Sequence, residues 1–142
     1  YCRRAGKSLP TQAQWERAGR GTEGAFYPWG NDLPTCDALN YNNCVGDTTP
    51  VGSYASGRST EGVMDLSGNV WEWTSEYYSE TYYQDADDVD PVGPASGSLG
   101  HVYRGGAYNS GEERMDIWLR YSDDGTSYHD RRADKVGFRC AR

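Results

Sequence analysis

At 142 residues the chain is long enough for one domain with a real core and too short for two ordinary ones. Its formal net charge of −7 repels phosphates, which excludes nucleic acid and anionic membrane surfaces as partners; no apolar run approaches a membrane span, so membrane insertion is not expected. Apolar residues make up only 36%, so five Trp and twelve Tyr carry the burial, while 18 Gly and six Pro predict many turns and little regular secondary structure.

The chain opens inside a patterned segment, YCRRAGKSLPT, which predicts a processed product or a piece of a longer protein. Residues 1–5 read as the last turn of a helix capped by Gly6. After Pro10, Thr11-Gln12-Ala13-Gln14 has the form of a capping box and predicts a short helix over residues 11–20. Trp15 and Ala18 share one face of it, and Gly19 or Gly21 ends it. Beyond Gly21 the helical period gives way to short segments between turn signals. Residues 70–74 and 101–104 alternate as strands, with Trp71 and Trp73 expected to face opposite sides, one in the core and one lining a cleft. Residues 76–90 are acidic and read as a solvated loop. Starting from Asp85, Val89 falls where an EF-hand needs an oxygen ligand, so that calcium motif is not formed. Residues 87–100 form a long exposed connection.

Cys2, Cys36, Cys44 and Cys140 allow three fully paired connectivities, with four reduced thiols as the alternative. A Cys36–Cys44 bond would staple a short Asn-rich loop, and Cys2–Cys140 would then tie the chain ends. Pairing implies an oxidising, extracytoplasmic compartment, whether secreted, periplasmic or cell-surface. With no C-x-x-C and only His101 and His129 to add imidazole, a structural zinc site is not expected.

Six collinear motifs are more specific. They are Gly6-Lys7-Ser8-Leu9-Pro10-Thr11-Gln12-Ala13-Gln14-Trp15-Glu16, Tyr27-Pro28-Trp29-Gly30, Thr49-Pro50-Val51-Gly52-Ser53-Tyr54, Gly62-Val63-Met64-Asp65-Leu66-Ser67-Gly68-Asn69-Val70-Trp71-Glu72-Trp73, Tyr103-Arg104-Gly105-Gly106-Ala107-Tyr108 and Val136-Gly137-Phe138-Arg139-Cys140. Together they resemble the C-terminal part of the formylglycine-generating-enzyme, or sulfatase-modifying-factor, domain across nearly the whole chain, read as one domain over residues 1–142. The resemblance implies an α+β, C-type-lectin-like fold around a mixed, mostly antiparallel sheet. The family domain is about twice as long; either its N-terminal half lies elsewhere in the protein or a partner chain, or this is a shortened version. The resemblance also pairs Cys2 with Cys140.

Family enzymes place a Ser after the paired glycines and two cysteines that bind Cu(I), a soft ion favouring thiolates. Here those positions hold Ala107, Ser110 and Met115, so no copper and no formylglycine synthesis are expected. The resemblance implies a structural calcium ion held by the side chains of Asp65 and Glu72 with the carbonyls of Gly68 and Val70. A second calcium site would begin at Asn40 and Tyr41, with Asp47 as a substitute ligand in its shortened loop. The remaining expectation is a ligand-binding surface for a protein, peptide or glycan, including Trp71, Tyr108, Asn109, Arg114, Trp118 and Arg120. Arg104, Arg114 and Arg120 read equally as clefted carboxylate binders and as loop braces. The leading function is thus a non-catalytic binding or structural module stabilised by calcium and disulfides. The alternative is a metal-dependent oxidase of the family, its site completed by another domain or chain.

Overall fold

The computed structural model describes residues 1–87, 89–123 and 134–142. Helix α1 (Gln12–Arg20) and strands β1 (Trp71–Tyr77), β2 (His101–Arg104), β3 (Tyr121–Ser122) and β4 (Val136–Phe138) are connected by long loops and short 3-10 turns. This is the loop-rich architecture that the glycine and aromatic content predicts, in the α+β class that the resemblance implies. His129 lies outside the described residues.

Helix α1 starts where the sequence places it. Thr11 Oγ1 accepts the Gln14 N–H at 3.1 Å, and Gln14 Oε1 accepts the Thr11 N–H at 3.0 Å, so the capping box closes. Gly21, not Gly19, ends the helix at a φ of 62°. The turn before it, Cys2–Ala5, is 3-10 and stops at a left-handed Gly6.

The strands run in the order β3-β2-β1-β4, antiparallel except for the parallel pair β1 and β4. Successive side chains of β1 alternate between the faces. Glu72, Thr74 and Glu76 are all buried on the face that meets α1, where Trp15 Nε1 donates to Glu72 at 2.7 Å and the Gln12 N–H donates to Glu76 at 2.7 Å. Trp71 and Trp73 share the other face, and both pack edge-on against Tyr103, with centroids 5.1 and 5.5 Å away. The expectation that they point to opposite sides is therefore corrected, because residues two apart on a strand share a face. Their environments differ along the strand instead. Trp71 is sealed in, whereas Trp73 is half-buried and lines a mainly apolar groove of about 520 Å³ with Tyr1, Leu9, His101 and Phe138.

Both disulfides form, Cys2–Cys140 and Cys36–Cys44, and no cysteine is free. The smaller loop inserts Leu39 and Tyr41 into a cluster with Tyr27 and Met115. The bonds close chain separations of 138 and 8 residues, so their entropic contributions differ. Replacing Cys2 and Cys140 together with Ser is expected to lower stability by roughly 4–5 kcal/mol, and replacing Cys36 and Cys44 by roughly 2–3 kcal/mol. Urea unfolding measures both, and equal losses would contradict the loop-length explanation.

Candidate functional site

Three loops converge beneath the paired glycines. The Gly68 N–H donates to the Gly105 carbonyl at 2.8 Å, the Asn69 N–H to Asn40 O at 2.8 Å and the Tyr108 N–H to Asn69 O at 2.8 Å. The Asn43 N–H reaches Tyr108 O at 2.8 Å, and the Asn42 N–H reaches Ser110 O at 2.9 Å. Such close backbone approach needs glycine. A Cβ at Gly68 would stand 2.5 Å from the Asn40 carbonyl oxygen, and one at Gly105 would stand 2.7 Å from that of Leu66. Asn69 braces the junction, since its Oδ1 accepts the Thr49 N–H and its Nδ2 donates to Thr49 O.

Residues 107–115 fold across this platform as two tight turns. The Ala107 N–H donates to Ser110 Oγ at 3.0 Å, and Ser67 Oγ donates to Met115 O at 2.9 Å. Ala107 and Met115 are fully buried, and Ser110 is nearly so. Above them opens a cleft of about 260 Å³ lined by Trp71, Asn109, Ser110, Gly111, Arg114 and Lys135, with the exposed Glu113 beside Arg114. The structure thus unites Trp71, Asn109 and Arg114 of the expected ligand surface in one cleft. Tyr108, Trp118 and Arg120 do not line it. Arg120 lies over the rings of Tyr78 and Tyr83 and donates to Ser79 O at 3.2 Å, which makes it a loop brace. Arg104 is likewise a brace: it is buried, pairs with Glu16 at 2.8 Å and donates to the carbonyls of Ile117 and Leu119. Burial pulls its guanidinium below the ordinary value, against the pull of Glu16.

The turn expected to hold calcium is already neutralised. Arg139 Nε and Nη2 each donate to Glu72 at 2.6 Å, and Nη2 also donates to the carbonyls of Met64 and Asp65 at 3.0 and 3.1 Å. Trp15 takes part of the same carboxylate, and Asp65 Oδ2 accepts the Gly52 N–H at 2.6 Å. A cation among Asp65, Gly68, Val70 and Glu72 would face a guanidinium bound to the same oxygens, so in this arrangement the donor set does not fit one. The Asn40 region is different. Asn40 Oδ1 is buried with no hydrogen-bond donor, while its Nδ2 donates to Asp47 O at 2.8 Å. An orphaned buried amide oxygen is a hard donor of the kind a calcium ion takes, and here the contact to Asp47 runs through its backbone carbonyl. Among the described residues no group of three or more His, Cys, Asp or Glu converges on a metal-sized site.

Comparison with known proteins places this geometry. The sulfatase-modifying factor enzyme 1-like domain matches residues 1–142. The chain belongs to that family. It is 36% identical over 155 residues to the formylglycine-generating enzyme of Streptomyces coelicolor, covering 99% of this chain and 48% of that protein. Against the Bos taurus formylglycine-generating enzyme the identity is 32%, over 99% of this chain and 40% of the relative. The chain therefore spans about half the length, or less, of these family members. It also matches serine/threonine-protein kinase Pkn1 of Chlamydia trachomatis at 35% identity, covering 96% of this chain and 21% of that protein. Among solved structures, Treponema denticola variable protein 1 superposes with a TM-score of 0.73 at 26% identity, over 93% of this chain and 46% of that one. PvdO from Pseudomonas aeruginosa gives a TM-score of 0.74 at 21% identity, over 96% and 53%, which shows the shared fold alone.

Within this family fold, the sequence did not disclose Lys135 as part of the cleft, Arg139 as the partner of Glu72 or Glu76 as a buried acid. The available signals were the alternation of Glu72, Thr74 and Glu76 along β1 and the arginine of the terminal Gly-Phe-Arg-Cys motif. Burial pushes the Glu76 carboxyl above the ordinary range, opposed chiefly by the Gln12 N–H. A raised folded-state value means that the folded chain holds the proton more tightly. The stability this confers is fully present below the unfolded value, about 4.3, and is lost as pH rises through the folded value. Glu76→Gln is expected to flatten the decline of stability from acid toward neutral pH, as read by urea midpoints across that range. A profile as steep as the parent's would contradict the assignment.

Proposed function

We propose that this chain is a non-catalytic, extracytoplasmic binding or structural module built on the sulfatase-modifying-factor scaffold, residues 1–142 forming the C-terminal portion of its domain. One observation carries the reading. All four cysteines are spent in disulfides, while the positions that the family resemblance equates with the copper thiolates hold Ser110, bonded to the Ala107 N–H, and Met115, sealed in the core. A hydroxyl and a buried thioether do not supply a two-coordinate thiolate site for Cu(I). Two disulfides favour an oxidising compartment, and no helix among the described residues is long and apolar enough to cross a membrane. The kinase name of the Chlamydia relative describes a protein of which this chain matches about a fifth.

Calcium belongs to this reading as a structural ion, held at Asn40 Oδ1 with the Tyr41 carbonyl and Asp47, while Arg139 supplies the positive charge at the turn of residues 65–72. Bound there, calcium would tie the disulfide loop to the platform under the cleft. Metal analysis of the purified 142-residue chain tests the module reading: calcium without copper or iron is expected, and stoichiometric copper or iron would overturn it. At calcium a hundredfold above its dissociation constant, the ion adds about 2.7 kcal/mol, so EDTA should lower the Tm on the order of 10 °C. Asn40→Ala should abolish that response, and an undiminished response in the variant would move the ion elsewhere.

A further inference from the structure

The cleft over Ser110 carries a charge that the rest of the surface does not predict. The chain has 21 acidic against 14 basic residues. Arg17, Arg20, Arg104 and Arg139 each hold a carboxylate at 2.6–2.9 Å. Arg114 departs from this pattern. Among the described residues its ion-pair partner is the exposed Glu113, 3.8 Å from Nε, and its guanidinium lies over the Tyr121 ring at 5.4 Å. Lys135 lines the same cleft and makes no ion pair among the described residues. Ser110 completes the set, because its Oγ accepts the Ala107 N–H from inside and leaves its own proton to donate outward.

We propose that this cleft binds a carboxylate group of the module's ligand, with Arg114 and Lys135 supplying charge and Ser110 a hydroxyl donor. The proposal rests on the binding-module reading and names the ligand chemistry. A guanidinium fork fits the two oxygens of a carboxylate, and an ammonium adds charge without demanding a direction. Glu113 acts as an internal competitor, since its own carboxylate stands beside Arg114. At about 260 Å³ the cleft admits one acidic side chain or one carboxylated sugar ring's acidic end, not a folded surface. Overall negative charge keeps anions away at long range, so the site selects by contact with Arg114 and Lys135.

Two-dimensional amide NMR of the 142-residue chain tests this with N-acetylglutamate as the probe, and with N-acetylglutaminamide, which has no carboxylate, and sodium sulfate as comparisons. Saturable shifts at Ser110, Gly111 and Arg114 are expected with N-acetylglutamate, with dissociation constants on the order of millimolar for so small a probe. Arg114→Gln and Lys135→Gln should each weaken binding about tenfold, the usual scale for losing one charged hydrogen-bond partner. Glu113→Gln should strengthen it severalfold, which a merely structural role for these residues would not produce. Unchanged melting temperatures in the variants confirm that the fold is intact. Equal binding of the neutral amide, or of sulfate, overturns the carboxylate assignment while the cleft remains a ligand site. Absence of any saturable shift at these residues overturns the carboxylate site outright, and the metal analysis then decides the module reading separately.

Discussion

A single buried carboxylate holds the described structure together. Glu72, near the start of the inner strand β1, accepts three N–H groups, one from Trp15 on the helix and two from Arg139 beyond the last strand. The same guanidinium reaches back to the carbonyls of Met64 and Asp65 at the entrance of the glycine turn. Removing a carboxylate from water costs several kcal/mol, and that cost is offset only when its oxygens are fully engaged by charge and hydrogen bonds. Here they are, and the consequence is geometric. Helix, inner strand, turn and C-terminal segment have one mutual arrangement that leaves no oxygen unpaired. The Cys2–Cys140 bond then closes the same corner covalently.

The cleft depends on that corner at one remove. Once residues 64–69 are fixed, Gly68 and Asn69 present their backbones to Gly105, Asn40 and Tyr108, and the loops at 40–44 and 105–110 are pinned through main-chain bonds. Side chains on those loops are then free to differ without disturbing the platform. That separation explains how a family scaffold can hold a buried Met115 and a hydrogen-bonded Ser110 where the resemblance expects a metal pair. It also explains why charge gathers at Arg114 and Lys135, which the supporting network does not use. The internal pairs of Arg104 and Arg139 are structural, whereas Arg114 and Lys135 sit at the opening of the cleft.

Much of this was legible in the sequence, and the remainder follows one pattern. The capping box at Thr11, the left-handed Gly6 and the mostly antiparallel sheet were readable because each depends on local spacing or on collinear motifs. The disulfides followed from the resemblance and from four cysteines placed at the ends and around one loop. What escaped were the partnerships between distant residues. Glu72 and Arg139 both stood inside recognised motifs, yet their pairing across 67 residues gives no local signal. Lys135 joins Ser110 and Arg114 only because β4 returns beside β1. The sidedness of Trp71 and Trp73 was available from strand geometry alone, since a period of two puts both on one face.

The central claim, that Glu72 and Arg139 act as one unit on which the corner depends, is open to a double-mutant cycle. Glu72→Gln, Arg139→Met and the double variant are compared with the parent by urea unfolding at neutral pH. A coupling energy of about 2–4 kcal/mol is predicted, with the Arg139→Met variant losing most because it strands a buried charge. Losses that add to within about 0.5 kcal/mol would mean that the two residues act independently and would contradict the account.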